Sequence, residues 1–179
     1  MICFISGGVK NGKTRLALDI SCKVANNNPK YYLATMIPFD SEDDLRIKNH
    51  RKERENLGFI TIEKSSDVGN ISLENNPTIL LDSLTALLLN EFFIAEKENT
   101  SYDLVPIKII NDLDSLIKRS KNIIFVSDYI YSDGVIYNSY TESFRKCLAV
   151  IDKYVASRSD VVIERVMGIN HFIKGNIDL

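Results

Sequence analysis

The chain has few cysteines, no long apolar run and almost no net charge, and each shortage excludes a class of function. Its three cysteines, Cys3, Cys22 and Cys147, are scattered along 179 residues. An odd, sparse count without metal-ligand spacing argues against a zinc site and fits a reducing cytoplasm, with buried or indifferent thiols. There is no stretch of about 18 apolar residues, so no helix of the sequence is expected to span a membrane. The N-terminus lacks the charged-then-apolar layout of a signal peptide and enters an apolar stretch at once. A formal net charge of −2 gives no overall pull toward nucleic acid or a membrane surface. Internal repeats and low-complexity linkers are missing too. What is left, 45% hydrophobic and 26% charged residues, reads as one globular domain over residues 1–179, long enough to bury a core.

The most informative stretch present is Gly7-Gly8-Val9-Lys10-Asn11-Gly12-Lys13-Thr14. It fits G-x-x-x-x-G-K-[ST], and its surroundings give that pattern physical meaning. Ile2 to Ile5 form a short apolar, β-branched run, and after Lys13 the residues Leu16, Ala17, Ile20 and Val24 fall at helical spacing. Strand, glycine-bearing loop and helix in that order build a phosphate site. Backbone N–H groups converge on phosphate oxygens at a helix N-terminus, where the dipole also favours an anion. Lys13 can reach the β- and γ-phosphates, and Thr14 can ligate Mg²⁺.

Strand and helix signals alternate along the rest of the chain. Apolar runs at Tyr31–Ala34, Phe59–Ile62, Thr78–Leu81, Asn122–Val126 and Asp160–Val166 predict strands. Helical spacing covers Thr14 to about Ala25, Ser41 to about Leu57, Leu84 to about Phe93, Asp103 to about Arg119 and Ser139 to about Ser157. This alternation predicts an α/β fold, a mainly parallel sheet with helices on both faces. Ile79-Leu80-Leu81 and Ile123-Ile124-Phe125-Val126 read as strands buried on both sides. Val161–Val166 and His171–Ile173, separated by Met167-Gly168-Ile169-Asn170, predict a closing antiparallel hairpin. The polar stretch Lys64–Pro77 is expected to be the loosest connection, and Glu96–Tyr102 a similar exposed loop.

Two further groups bear on chemistry. Asp82 ends a buried strand, where a carboxylate can face the nucleotide's metal; a helix N-cap or surface turn is the alternative. In Arg46-Ile47-Lys48-Asn49-His50-Arg51-Lys52-Glu53-Arg54, helical spacing aligns Arg46, His50 and Arg54 in one cationic stripe. On residue types alone this reads first as a solvated, charge-laced helix with an incidental histidine. The sharper alternative is an imidazole that attacks a nucleotide α-phosphate while guanidiniums hold the other phosphates. His171, in the hairpin strand, reads as structural or surface-exposed.

Taken together, these segments resemble the bifunctional adenosylcobinamide kinase / adenosylcobinamide-phosphate guanylyltransferase family of cobalamin biosynthesis. Phe4-Ile5-Ser6-Gly7-Gly8-Val9-Lys10-Asn11-Gly12-Lys13-Thr14-Arg15 is similar to the family's T-G-G-x-x-S-G-K-S-R, and Tyr32-Leu33-Ala34-Thr35 to Y-I-A-T. Arg46 to Arg54 matches R-I-x-x-H-R-x-x-R, and Thr61-Ile62-Glu63 matches T-x-E. Leu80-Leu81-Asp82-Ser83-Leu84-Thr85 with Asn90 matches L-(V/L)-D-C-L-T followed by N. The resemblance implies a three-layer, RecA-like phosphate-loop fold whose C-terminal part is the antiparallel hairpin. It implies that Gly7, Gly8, Val9, Lys10, Asn11, Gly12, Lys13 and Thr14 bind nucleotide phosphates and that Leu33, Ala34 and Thr35 contribute to the nucleotide pocket. His50 would be the nucleophile carrying GMP as a phosphoramidate. Arg51, Lys52, Glu53, Arg54, Glu63 and Asp82 would line the guanine-nucleotide site, with Mg²⁺ on Thr14 and Asp82. Implied substrates are GTP or ATP and the corrinoid adenosylcobinamide, and the implied assembly is a homo-oligomer, in the form of a trimer. Neutral imidazole must attack, so adduct formation should favour pH above an ordinary histidine pKa of about 6.5.

The second half departs from the pattern. The family's V-S/T-N-E-V-G-x-G-I-V-P is here Val126-Ser127-Asp128-Tyr129-Ile130-Tyr131-Ser132-Asp133-Gly134-Val135-Ile136-Tyr137. Tyr129 and Tyr131 replace the loop's acidic residue and glycine. The later R-x-N-Q segment is altered around Val150-Ile151-Asp152-Lys153. Glu55 takes the place of a proline, with one extra residue before Phe59. Two other readings therefore stay open: a diverged phosphate-loop kinase of another small alcohol, and a nucleotide-binding regulatory protein without turnover.

Overall fold

A computed structural model of the chain describes residues 1–37, 51 and 54–178. Within these residues seven strands form one sheet: β1 (Ile2–Gly7), β2 (Lys30–Ala34), β3 (Phe59–Glu63), β4 (Thr78–Asp82), β5 (Asn122–Asp128), β6 (Val161–Val166) and β7 (Ile169–Lys174). Their order is β3-β2-β4-β5-β1-β6-β7. The first six run parallel, and β7 returns antiparallel on β6. The described helices are α1 (Lys13–Ala25), α2 (Leu84–Lys97), α3 (Val105–Arg119) and α4 (Ser139–Arg158).

The layering follows from the two-residue period of the strands, which sends neighbouring side chains to opposite faces. Phe4, Ile79, Leu81, Ile123 and Phe125 point to one face, where α2, α3 and α4 cover them with Leu88, Phe92, Leu113 and Leu148. Cys3, Ile5, Leu80, Ile124 and Val126 point to the other, under Leu16, Ala17 and Ile20 of α1. Burial on both faces explains why the central strands lack polar alternation. It also makes the thiol of Cys3 inert. Desolvation, helped by the charge of Asp160, pushes its pKa up to about 12.

Three sequence expectations need correction. The stretch from Lys64 to Pro77 is not loose, because a 3₁₀ turn at Val68–Asn70 folds it onto α3. Val68 and Ile71 are buried there. Arg119 donates to the carbonyls of Ile71 (2.8 Å) and Gly69 (2.6 Å), and Lys108 ties Asp67 to Glu91. The polar composition hid two apolar anchors and a set of carbonyls satisfied from another helix. The exposed loop expected over Glu96–Tyr102 is present from Glu98 to Ser101, and only its ends differ. Helix α2 continues to Lys97, and the Tyr102 ring stacks on Phe92 with centroids 4.5 Å apart. Finally, the hairpin turn is Met167-Gly168 alone, both at positive φ (49° and 80°), so Ile169 and Asn170 already belong to β7. Paired positive φ values match the twist of the flanking strands. Most of the helix expected from Ser41 to Leu57 lies outside the described residues; residues 51 and 54–56 are helical.

This topology gathers the ends of the parallel strands at one edge. Gly7, Ala34, Asp82, Asp128 and Val166 close β1, β2, β4, β5 and β6 there. Ligands of open parallel sheets bind at that carboxyl edge.

Candidate phosphate-binding site

The loop from Gly7 to Gly12 leaves β1 and enters α1 as the motif requires. Gly12, at φ 78°, caps α1 without any side-chain hydrogen bond, and no acidic residue occupies the first turn. The first-turn amides of α1 are therefore not claimed by a capping side chain, unlike those of α2, where Ser83 accepts from the Ala86 amide. At Gly7 the constraint is steric. A Cβ there would overlap the Arg165 carbonyl oxygen of β6. Gly7→Ala is therefore expected to push the loop off β6, costing about 2 kcal/mol or more in a urea melt and weakening nucleotide binding with it.

Several candidate side chains converge beneath this loop. Lys13 is buried, and its Nζ donates to the Gly8 carbonyl (2.7 Å) and to Asp128 Oδ1 (2.8 Å). Thr14 Oγ1 donates to Asp82 Oδ2 at 2.7 Å, and the Tyr32 hydroxyl donates to the same oxygen at 2.7 Å. Burial and then the Asp82 carboxylate hold the Tyr32 hydroxyl well above the usual phenol range, so it stays a donor. Above the Tyr32 ring, 3.9 Å from its centroid, lies the guanidinium of Arg54, itself 6% exposed. Among the described residues its Nε is buried without a hydrogen-bond partner.

Of the residues singled out in the sequence, the structure thus brings together Lys13, Thr14, Asp82 and Arg54. Val9, Lys10 and Gly12 face solvent on the loop, with Gly8 and Asn11 half-buried. Leu33 and Thr35 are buried, and Thr35 Oγ1 is engaged with Ser83 on both sides, donating to its carbonyl and accepting from its amide. Ala34 is half-buried beside them. Arg51 meets Glu55 (3.2 Å) and Glu63 (3.7 Å) in exposed ion pairs that add little stability. His50, Lys52 and Glu53 lie outside the described residues. His171 sits exposed on β7.

Three participants escape the sequence reading. Asp128 ends an apolar run just as Asp82 does, and the run Ile123 to Ser127 is the signal that could have found it. The loop after β5 lacks the family's acidic residue at Tyr129, yet Asp128 supplies a carboxylate one position earlier. Tyr32 has only its place in the Y-I-A-T likeness. Arg165 grips the loop by exchanging hydrogen bonds with Asn11 (3.3 Å each) and is held in turn by Asn170. Nothing in the sequence pairs residues 11 and 165.

Thr14 and Asp82 present hard oxygen donors side by side at the mouth of the loop, a donor set suited to Mg²⁺. Behind the β5 edge, Asp152 accepts from the Tyr131 hydroxyl at 2.8 Å. Burial outweighs that bond, raising the carboxyl from 3.8 to about 6. The folded state therefore holds a proton between those values that the unfolded chain has released, and stability falls as pH rises through that window. Asp152→Asn is expected to flatten urea-melt stability between pH 4 and 6 and to raise it at pH 7.5 by on the order of 2–3 kcal/mol.

A family model described as cobinamide kinase / cobinamide phosphate guanyltransferase matches residues 3–173. No individual curated protein matches the chain. Among solved structures, the chain is similar to the KaiC-like protein PH0186 of Pyrococcus horikoshii OT3. The identity is 13% and the TM-score 0.50, covering 91% of this chain and 71% of that one. The flagellar accessory protein FlaH of Methanocaldococcus jannaschii shares 14%, with a TM-score of 0.44 and coverage of 98% and 78%. At 13% identity the PH0186 likeness speaks to fold alone. Together with the strand order, the PH0186 match places the fold among RecA- and KaiC-like phosphate-loop proteins.

Proposed function

Since this chain belongs to the cobinamide kinase / cobinamide phosphate guanyltransferase family of cobalamin biosynthesis, we propose that its loop from Gly7 to Thr14 holds one nucleotide for both transfers. The observation that carries this reading is the convergence of Lys13, Thr14 and Asp82 at the sheet's carboxyl edge. In the first transfer, Lys13 and the first-turn amides of α1 hold the triphosphate of GTP or ATP. The γ-phosphoryl passes to the hydroxyl of adenosylcobinamide. Thr14 and Asp82 would hold a Mg²⁺ ion, which when bound would neutralise charge on the phosphates. Tyr32, donating to Asp82, fixes the carboxylate's orientation.

In the second transfer His50 attacks the α-phosphorus of GTP. A P–N bond forms, pyrophosphate leaves, and GMP then passes from His50 to adenosylcobinamide phosphate. Arg54, four positions after His50, supports this assignment. Its stacking on Tyr32 ties the end of the R-I-x-x-H-R-x-x-R segment to Asp82. Arg51, Lys52, Glu53 and Glu63 line the guanine side, with Leu33, Ala34 and Thr35 behind. The exposed apolar residues Met167, Ile169 and Ile173 of the hairpin support assembly of copies of the chain, in the trimeric form that the family likeness implies.

Purified protein given GTP or ATP is expected to phosphorylate adenosylcobinamide in preference to a panel of other small alcohols, and then, with GTP, to form its GDP derivative. Phosphorylation of another alcohol with adenosylcobinamide untouched would overturn the acceptor assignment.

A further inference from the structure

Asp128 has a second consequence, which rests on the kinase reading above. Its backbone is pinned on both sides. The Asp128 amide donates to Thr85 Oγ1 (2.9 Å), and the next amide, of Tyr129, donates to the Gly7 carbonyl (2.9 Å). Pairing of β5 with β1 sets Asp128 opposite Gly7, at the start of the phosphate loop. The carboxylate is thus presented to the loop, and its side chain is 27% exposed.

Lys13 is the measure of its reach. An ammonium has three donor hydrogens, and here the Gly8 carbonyl and Asp128 take two. A γ-phosphate gripped by Lys13 therefore sits one ammonium away from the Asp128 carboxylate. Asp128 spends Oδ1 on Lys13, and the other carboxylates nearby are engaged away from the loop lysine. Asp82 Oδ2 already accepts from Thr14 and Tyr32, and Asp152 is buried against Tyr131. Beyond Asp128 runs an exposed surface of Tyr129, Val135, Ile136 and Tyr137, an apolar approach for a bulky acceptor.

We infer that Asp128 is the base that takes the acceptor hydroxyl's proton during phosphoryl transfer. The acceptor oxygen bonds to the γ-phosphorus as the bond to the β,γ-bridging oxygen breaks. The electron pair leaves with the nucleoside diphosphate, and the hydroxyl proton goes to an Asp128 oxygen and from there to solvent. Guanylylation of His50 has no hydroxyl to deprotonate and does not use this base.

The test is Asp128→Asn, which keeps an acceptor oxygen for Lys13. Phosphoryl transfer to adenosylcobinamide is expected to lose at least about a hundredfold in kcat, with nucleotide KM changed by no more than a few-fold. Labelling by GTP at its α-phosphate, which also depends on the Lys13 that Asp128 holds, is expected to fall by far less than phosphoryl transfer. Unchanged kcat with tighter nucleotide binding would make Asp128 a mere counter-ion of Lys13 and overturn the assignment. Equal loss of labelling and phosphoryl transfer would overturn it in favour of a structural role. If the wild-type protein phosphorylates no corrinoid, the kinase reading itself fails. Asp128 is then judged on slow γ-phosphate hydrolysis, where the same base would serve water, and an unchanged rate in Asp128→Asn removes it.

Discussion

Lys13→Ala is expected to abolish both transfers, lowering GTP affinity and phosphoryl transfer each by at least about a hundredfold. The size of the effect comes from two changes in one place. The variant loses the buried ammonium proposed to meet the phosphates. It also leaves the Asp128 carboxylate, now without its 2.8 Å partner, facing an incoming polyanion. Loss of attraction and gain of repulsion act in the same direction. The fold should survive, because Asp128 is partly exposed and water can solvate it. Calorimetric titration with GTP, alongside a thermal melt, separates the two outcomes. Lost binding with an intact melt is the expected pair; near-normal binding would remove Lys13 from the site.

Much of this site is legible in the sequence because its parts are local. A loop, its lysine and its threonine lie within eight residues, and the strand and helix around them announce themselves by hydrophobic period. The sheet is legible for the same reason: Ile79-Leu80-Leu81 and Ile123-Ile124-Phe125-Val126 carry no polar residue for a solvent face. Partners set by tertiary register are not legible. Asp128 reaches Lys13 because β5 pairs with β1 across more than a hundred residues, and Arg165 reaches Asn11 through β6 in the same way. The Lys64–Pro77 segment misleads because composition reports solvent preference on average. Its anchoring depends on Val68, Ile71 and the carbonyls that Arg119 satisfies.

The second large effect is expected at His50, and it runs opposite to that of Asp128. His50→Ala should eliminate guanylyl transfer, by at least about a thousandfold, the scale of losing a covalent nucleophile. Phosphoryl transfer to adenosylcobinamide should stay within a few-fold of the wild-type rate, since Lys13, Thr14, Asp82 and Asp128 are untouched. The two activities would then separate in both directions, one lost with His50 and the other with Asp128. Arg54→Ala should reproduce part of the His50 effect, because its guanidinium is stacked on Tyr32 beside the Asp82 carboxylate. Parallel assays of both reactions on each variant check this.

Incubation with GTP labelled at the α-phosphate tests the central claim most directly, since it interrogates nucleotide, nucleophile and family chemistry together. The wild-type protein should acquire an adduct that is labile to acid and stable to alkali, forming more readily as pH rises past about 6.5. His50→Ala should acquire none. Robust labelling of His50→Ala, or no adduct on the wild-type protein, would contradict the account.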